Sequence, residues 1–344
     1  MHLRRRLGLT SCSSLPTILV MPTRAMLMTG NNNHVAGVGR QGVRNGRVTD
    51  GLNGYEGHLS DRVGILPALL QGSGYRTYMA GKWHLGYEKE YAPSHYGFEK
   101  SFNLSGGAGN HFDETGITKA GSDYYEHGDD PRPFFMFAAY TSPRWPLQVT
   151  DEDLSLYEGR FDTGYDVYRE QRFDALKQAG VTPSAQVLPP RNPHVLRWGD
   201  LSDTAKQRES QKMELYAAMV ENLDRHIARL IGHLKSLGTY EITLIIFLSD
   251  NGADGSDFYQ RGRFSEHLQA TYNIEFGNMG KRGSFISTGR GWAEASTTPF
   301  RLDKTYASEG GITAQMIVTG PNVEHTVPRS DSYVTVSDIA PTLL

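Results

Sequence analysis

Two side chains that can bind an anion and move a proton stand two positions apart in the segment Gly81-Lys82-Trp83-His84-Leu85-Gly86. Alternate residues of an extended segment point to the same side, so Lys82 and His84 would face one space. An ammonium group can hold an anion, and an imidazole can deliver a proton to a leaving oxygen. The alternative is a surface lysine beside a hydrogen-bonded histidine. The pair alone does not decide between these readings.

A second candidate group lies at Asp250 and Asn251, directly after the apolar stretch Ile242 to Leu248. Their carboxylate and amide oxygens are ligands that hard cations such as Ca²⁺ or Mg²⁺ accept. The same residues before Gly252 also form ordinary turns, since both tolerate turn conformations. The residues alone favour the turn, and their place at the end of a strand favours the metal site.

The elements that must position these residues alternate between strands and helices, which predicts an α/β sandwich around a central, mostly parallel sheet. Apolar residues at three- and four-residue spacing predict one long amphipathic helix that ends near Gly238, and Ser60 to Leu70 predicts another helix capped by Ser60. The apolar stretch before Asp250 predicts a buried parallel strand. Further strands are predicted at Tyr75 to Ala80, Phe134 to Tyr140 and Ala314 to Val318.

Composition narrows the function classes further. A length of 344 residues can bury a large core, and a net charge of -3 gives no reason to expect a nucleic-acid partner. No apolar stretch is long enough to cross a bilayer. Cys12 is a single cysteine, so no internal disulfide can form. Residues 1–20 make a poor signal peptide, which leaves the cytoplasm, the periplasm and secretion open.

The stretch from Val20 to Gly30 resembles the type I sulfatase signature, in which a Cys or Ser is followed by Pro and Arg at fixed spacing and the motif ends in Thr-Gly. The segments around Lys82 and Asp250 resemble two further motifs of this family. The resemblance covers about residues 21–344 and looks closest to the bacterial and fungal arylsulfatases. Its other marks are Asn33-His34-Val35-Ala36-Gly37, Arg160-Phe161-Asp162-Thr163-Gly164-Tyr165-Asp166 and Asn278-Met279-Gly280.

The resemblance implies an alkaline-phosphatase-like fold and hydrolysis of small-molecule sulfate monoesters. Arg24 would support the formylglycine nucleophile, while Lys82 and Lys304 would bind sulfate. His84 would contact the nucleophile or the leaving group. The implied metal is Ca²⁺ or Mg²⁺, with Asp250 and Asn251 as ligands. Cations aimed at the developing charge of a sulfate ester lower the reaction barrier.

Several features of the chain depart from the family pattern. Val20 stands where the family has the residue that becomes formylglycine, and a hydrocarbon side chain can be neither oxidised to formylglycine nor made to attack sulfur. Arg144, in Pro143-Arg144-Trp145-Pro146-Leu147-Gln148, replaces a usual histidine. Arginine can clamp a sulfate oxygen but cannot donate a proton near neutral pH.

The sequence also lacks the first strand of the family, with its paired metal-binding aspartates, and the smaller C-terminal domain. We therefore expect residues 1–20 to be an atypical segment and residues 21–344 to be a sulfatase catalytic domain truncated at both ends. A further hypothesis is that residues 7–20 partly refill the place of the missing strand, since Leu15 to Val20 contains β-branched residues. A fragmentary gene product would explain this pattern.

Three functions remain open on these grounds. The first is an arylsulfatase by descent, impaired by Val20. The second is a non-catalytic protein that still binds sulfated or other anionic ligands. The third is a phosphodiester or phosphonate hydrolase of the same superfamily. The oligomeric state and the organic part of the substrate are not readable from the sequence.

Overall fold

The computed structural model describes residues 10–15, 19–41, 48–112, 117–120, 130–260, 264–323 and 329–344, and it has the α/β architecture that the sequence predicts. The strands are β1 (Thr10–Leu15), β2 (Arg76–Lys82), β3 (Lys100–Leu104), β4 (Ile117–Ala120), β5 (Phe134–Ala139), β6 (Ile245–Leu248), β7 (Ala314–Thr319) and β8 (Arg329–Thr335). The helices are α1 (Val20–Thr29), α2 (Leu66–Gly72), α3 (Asp151–Ser155), α4 (Gly164–Gln178), α5 (Asp203–Ser236), α6 (Ser265–Thr271), α7 (Arg290–Thr297), α8 (Glu309–Ile312) and α9 (Ile339–Leu343).

The chain divides into two compact units, which we name after the lysine that each contains. The Lys82 unit comprises Ser13–Gly109, Glu114–Thr141 and Ser332–Leu344. The Lys304 unit comprises Met1–Cys12, Asn110–Asp113 and Ser142–Asp331.

A mostly parallel sheet with the strand order β4-β3-β2-β5 forms the centre of the Lys82 unit. The central strand β2 pairs in parallel with both β3 and β5, so that Ala80 lies between Phe102 and Ala138. Antiparallel β4 closes one edge. The strands predicted at Tyr75 to Ala80 and Phe134 to Tyr140 are thereby confirmed, and β2 runs two residues further than predicted, to Lys82.

Helix α2 begins later than the sequence predicts. Ser60 does not cap it, because the Ser60 hydroxyl accepts a hydrogen bond from the Arg62 amide within a turn at 3.2 Å. The helix starts only at Leu66, and Pro67 occupies its first turn, where a missing amide hydrogen costs nothing. Leu66 and Leu70 then pack against Ala340 of α9.

The long helix α5 organises the Lys304 unit. Its hydroxyl cap Ser202 accepts the Ala205 amide, and Gly238 follows its end with φ 68°, as a left-handed C-terminal residue does. Leu215 and Met219 are buried against Leu147 and other apolar residues. The predicted amphipathic helix is confirmed, although Val220 is exposed.

Strand β6 corrects one expectation. It lies within the predicted apolar stretch but pairs antiparallel with β7, with Phe247 opposite Ile317. Phe247 is 44% exposed and Ile242 is 75% exposed, so the stretch is not a buried parallel strand. A continuous apolar run carries no information about the direction of its partner strand. The strand predicted at Ala314 to Val318 is confirmed as β7.

Strand β1 lies between β7 and β8 in a sheet with the order β6-β7-β1-β8. Residues 7–20 therefore contribute a strand at Thr10–Leu15, and the hypothesis that it takes the place of the family's first strand stays a prediction. The region that seemed best suited, Leu15 to Val20, is not the strand, since Val20 begins α1. Across the described ranges, no helix combines the length and the apolar character needed to cross a membrane.

Candidate functional site

Val20 occupies the first turn of α1 and is completely buried. Four residues later, on the same face of the helix, Arg24 is 7% exposed. The Arg24 guanidinium donates a hydrogen bond from Nη1 to the backbone carbonyl of Lys82, and its Cζ lies 5.6 Å from the centroid of the Phe137 ring. The arginine of the signature thus ties the start of α1 to the end of β2.

The Lys82 segment leaves the sheet through tightly fixed backbone. Lys82 ends β2 and is 2% exposed, and His84 is 3% exposed. The Trp83 amide donates to the Leu104 carbonyl at 2.8 Å, and its indole Nε1 donates to the Tyr91 carbonyl at 2.8 Å. His84 has a φ of 59°, in the left-handed region. The alternation that placed Lys82 and His84 on one side therefore does not extend to His84, because the backbone turns there.

Gly81 explains why a glycine precedes this lysine. Its φ is 102°, and a β-carbon at this position would lie 2.1 Å from the Ala139 carbonyl oxygen of β5. Only glycine allows both this conformation and this close approach of two strands. The glycine fixes where Lys82 emerges from the sheet.

A cluster of charges surrounds Lys304 in the other unit. Its ammonium Nζ lies 3.1 Å from Oδ2 of Asp254, and Nη2 of Arg144 lies 3.3 Å from the same oxygen. The Trp145 indole Nε1 donates to Oδ2 at 3.0 Å, and the Ser256 amide donates to Oδ1 at 3.0 Å. One carboxylate therefore pairs with Lys304 and Arg144, two of the three cations that the sequence predicts to bind sulfate.

The charges in this cluster depend on one another. Burial lowers the pKa of Lys304 and the Arg144 guanidinium lowers it further, whereas Asp254 and Asp250 act to raise it. Burial alone would raise the pKa of Asp254, but Lys304 and Arg144 hold it well below its ordinary value. Asp254 is consequently an anion that helps to keep the buried lysine charged.

Asp303 shows the opposite behaviour, although it precedes Lys304 in the chain. Burial raises the pKa of Asp303 to about 6, the Asp254 charge adds to this effect, and the Arg290 guanidinium opposes it. Its side chain fills the space beside Gly255, where a β-carbon would lie 2.0 Å from Oδ2. Asp303 is therefore a buried carboxyl group that changes charge in a mildly acidic range.

Asp250 and Asn251 follow β6, as the sequence predicts, and supply an incomplete set of metal ligands. The Asn251 amide donates to the Gly252 carbonyl at 3.1 Å, while its Oδ1 is buried without a hydrogen-bond partner among the described residues. Asp250 interacts electrostatically with Lys304. Among the described residues, no group of three or more His, Cys, Asp or Glu side chains could hold a metal ion. Since Ca²⁺ takes six to eight oxygen ligands, the described donor set does not fit a complete calcium site.

The predicted residues therefore fall into two groups. Arg24, Lys82 and His84 belong to the Lys82 unit. Arg144 and Lys304 share Asp254 within the Lys304 unit, which also contains Asp250 and Asn251. Sequence reasoning missed Asp254 and Asp303. The acidic residue at the end of Ser249-Asp250-Asn251-Gly252-Ala253-Asp254 was the available signal.

Comparison of the chain with known proteins shows the family to which it belongs. A family model described as Sulfatase matches residues 19–344. An uncharacterized sulfatase of Schizosaccharomyces pombe is 38% identical over 363 residues, covering 94% of this chain and 66% of that protein. An arylsulfatase of Klebsiella aerogenes is 33% identical over 358 residues, covering 94% of this chain and 75% of that protein.

Solved structures support the same fold. The crystal structure of Ps i-CgsB in complex with k-i-k-neocarrahexaose matches 99% of this chain and 64% of that chain, with a TM-score of 0.59 and 21% identity. The chain spans about two thirds of the length of this structure and of the yeast relative. Sulfatases in general use a metal ion and a formylglycine to hydrolyse sulfate esters. From the match over residues 19–344 and the two relatives, the chain is a member of the sulfatase family.

Proposed function

We propose that this chain binds small sulfate monoesters at a site of sulfatase ancestry and that Val20 prevents it from hydrolysing them at the rate of its relatives. The observation that carries the proposal is the buried Val20 in the first turn of α1, one turn before Arg24. The position is shaped for a nucleophile: the start of a helix favours negative charge, and a guanidinium follows on the same face. A hydrocarbon side chain there has no atom that can attack sulfur.

The cations of the chain supply the binding part of the proposal. In the Lys304 unit, Lys304 and Arg144 would contact non-bridging sulfate oxygens. In the Lys82 unit, Lys82 would bind an anion and Arg24 would support the nucleophile position. The support for these roles is the burial of Arg24, Lys82 and Lys304, since ammonium and guanidinium groups removed from water attract an anion more strongly than exposed ones. Arg144 is partly buried, with 18% of its side chain exposed. His84, buried after β2, would serve the leaving group.

We derive no step through formylglycine or through a metal ion. Val20 cannot become formylglycine, and Asp250 with Asn251 offers too few ligands for a calcium ion among the described residues. The Oδ1 of Asn251 is buried and has no hydrogen-bond partner among the described residues, and an amide oxygen is a ligand that a hard cation accepts. The proposal therefore includes calcium or magnesium only as an ion that the Asn251 oxygen would bind.

Turnover tests the role of Val20. We expect no measurable hydrolysis of 4-nitrophenyl sulfate by the wild-type chain. Val20→Cys, produced together with a formylglycine-generating enzyme, is expected to gain hydrolysis, because it restores the oxidisable side chain. Val20→Ala is the matched control, since it changes the same position without adding a nucleophile. Hydrolysis by the wild type as fast as by Val20→Cys would contradict the proposal.

Binding tests the cations separately from turnover. We expect titration calorimetry with sodium sulfate to show binding by the wild type and at least a fivefold loss of affinity in Lys304→Gln. Lys235→Gln removes an exposed lysine near the end of α5 and is expected to bind sulfate like the wild type. Equal affinities in all three proteins would remove Lys304 from the proposed site.

A further inference from the structure

A cavity of about 160 Å³ lies within the Lys304 unit, beside the first turns of α5. The candidate site residues that the sequence predicts do not line this cavity. Its lining includes Arg208, Lys212, Tyr259, Ile274, Phe285 and Ser287. The volume is well below the 300–1,000 Å³ of pockets for drug-sized ligands, so the space suits roughly one small ring.

The hydroxyl group of Ser287 indicates that a ligand binds in this cavity. Ser287 is 5% exposed and lines the cavity, and its Oγ is buried without a hydrogen-bond partner in the described part of the chain. A buried hydroxyl without a partner costs free energy, because it has lost its hydrogen bonds to water. A ligand that offers a donor or acceptor to this oxygen would remove that cost.

The charges around the cavity balance one another, which argues against a strongly charged ligand. Lys212 Nζ pairs with Glu209 Oε1 at 2.5 Å. Arg208 donates from Nη2 to the Ile274 carbonyl at 2.8 Å, and Asp257 adds a second acidic group to the lining. Two cations and two carboxylates leave no net charge. They do provide many hydrogen-bonding atoms, which suit the hydroxyl groups of a neutral ligand.

The remaining walls are apolar. Tyr259 and Phe285 contribute aromatic rings, and Ile274 and Ile286 contribute aliphatic surface. A ring that carries hydroxyl groups at its edge and C–H groups on its face satisfies both kinds of wall. A purely aromatic ring would cover the polar groups without pairing them, which is costly for buried groups.

The cavity is close to the charge cluster of the same unit. The Phe285 ring, which lines the cavity, packs against the Trp145 ring with centroids 5.4 Å apart. Trp145 in turn donates to Asp254, the carboxylate that joins Arg144 and Lys304. One aromatic side chain thus separates the cavity wall from the proposed sulfate-binding cations.

We propose that this cavity binds a neutral pyranose ring belonging to the organic part of the sulfate ester, with Ser287 Oγ as a hydrogen-bonding partner of a sugar hydroxyl. The role in ester recognition rests on the proposed function, but binding of the ring does not. An unsulfated glycoside can therefore test the cavity independently of the sulfate site.

The experiment measures binding of methyl β-D-galactopyranoside and methyl β-D-glucopyranoside to the full chain by saturation-transfer NMR titration. We expect at least one of them to bind. Ser287→Ala is expected to weaken that binding at least fivefold without lowering Tm, since the hydroxyl has no partner to lose. Ala205→Phe, which places a large side chain in the cavity lining, is expected to abolish it. Ser236→Ala, at the far end of α5, is the matched control and should bind like the wild type.

Three outcomes would overturn the assignment. They are no binding of either glycoside, equal binding by Ser287→Ala and the wild type, or binding of 4-nitrophenol that Ala205→Phe abolishes while the glycosides stay unbound. Sulfate titration of the wild type is measured separately. Glycoside binding that responds to both variants, with no binding of sulfate, would uphold the cavity and overturn the proposed function instead.

Discussion

Asp254 determines how much positive charge the Lys304 unit can offer to an anion. Lys304 is 4% exposed and lies near the Arg144 guanidinium, so burial and repulsion both act against its protonated form. The shared Asp254 carboxylate offsets that repulsion and holds both cations at fixed distances. Removing the Asp254 carboxylate would not make the cluster more positive, because a buried lysine beside an arginine gives up its proton more easily.

We therefore expect Asp254→Asn to weaken sulfate binding at least fivefold, as measured by calorimetry near neutral pH. Asp254→Glu keeps the carboxylate and is expected to recover most of the affinity. A purely structural role would lower Tm in Asp254→Asn without this recovery by charge. Tighter sulfate binding by Asp254→Asn would show that Asp254 competes with the anion rather than positioning its partners.

Asp303 makes stability depend on pH. Its pKa is raised from 3.8 to about 6. Between pH 3.8 and 6 the Asp303 carboxyl group is therefore protonated in the folded protein and ionised in the unfolded chain. The contribution of Asp303 to the free energy of unfolding is thus fully present below about pH 4, is lost as the pH rises to 6, and amounts to about 3 kcal/mol. Denaturant titrations at pH 4.5 and 7 measure about two thirds of it, since the unfolded carboxyl group is already mostly ionised at pH 4.5.

Asp303→Asn is expected to be less sensitive than the wild type to this rise in pH, because the amide cannot ionise. The exposed Asp174→Asn on α4 is the control and should follow the wild type. Identical pH dependence in Asp303→Asn and the wild type would contradict the raised pKa.

At the scale of elements, the junction of β2 and β5 is the most constrained part of the Lys82 unit. Gly81→Ala would need an unfavourable φ and would bring a β-carbon against the Ala139 carbonyl. We expect a loss of about 2–4 kcal/mol in the free energy of unfolding. Gly232→Ala in α5 is the control, since a β-carbon there meets nothing within 4 Å and alanine favours helices. Equal stability of Gly81→Ala and the wild type, measured by denaturant titration, would contradict the close approach.

The elements also show what the sequence could and could not predict. Strands β2, β5 and β7 and helix α5 follow from local apolar patterns, and these are found where expected. The direction of β6 and the start of α2 were wrong, because both depend on neighbours distant in the chain or on a turn that competes with the helix.

The same division applies to the candidate site. The motif around Lys82 can be recognised because its residues are consecutive. The Asp254 cluster joins residues from three distant segments, and the cavity near Ser287 joins α5 to segments that follow it in the chain. No local pattern indicates such contacts. The balanced charges around the cavity are equally invisible until the chain is folded.

At the scale of the whole molecule, metal binding is the feature that the described residues support least. With Asp250 and Asn251 as the described oxygen ligands, we expect a calcium dissociation constant above about 1 mM by calorimetry. Asp250→Asn should leave the titration unchanged. Micromolar binding that Asp250→Asn abolishes would show that other parts of the chain complete the site.

The position of β1 has a consequence for how the protein is made. Of the described strands, Thr10–Leu15 leaves the ribosome first, yet its two neighbours in the sheet, β7 and β8, come from Ala314–Thr319 and Arg329–Thr335. During synthesis both edges of β1 stay unpaired until nearly all of the described chain has emerged. Unpaired edges attract other strands, so this interval is when the nascent chain is most exposed to aggregation and most dependent on chaperones.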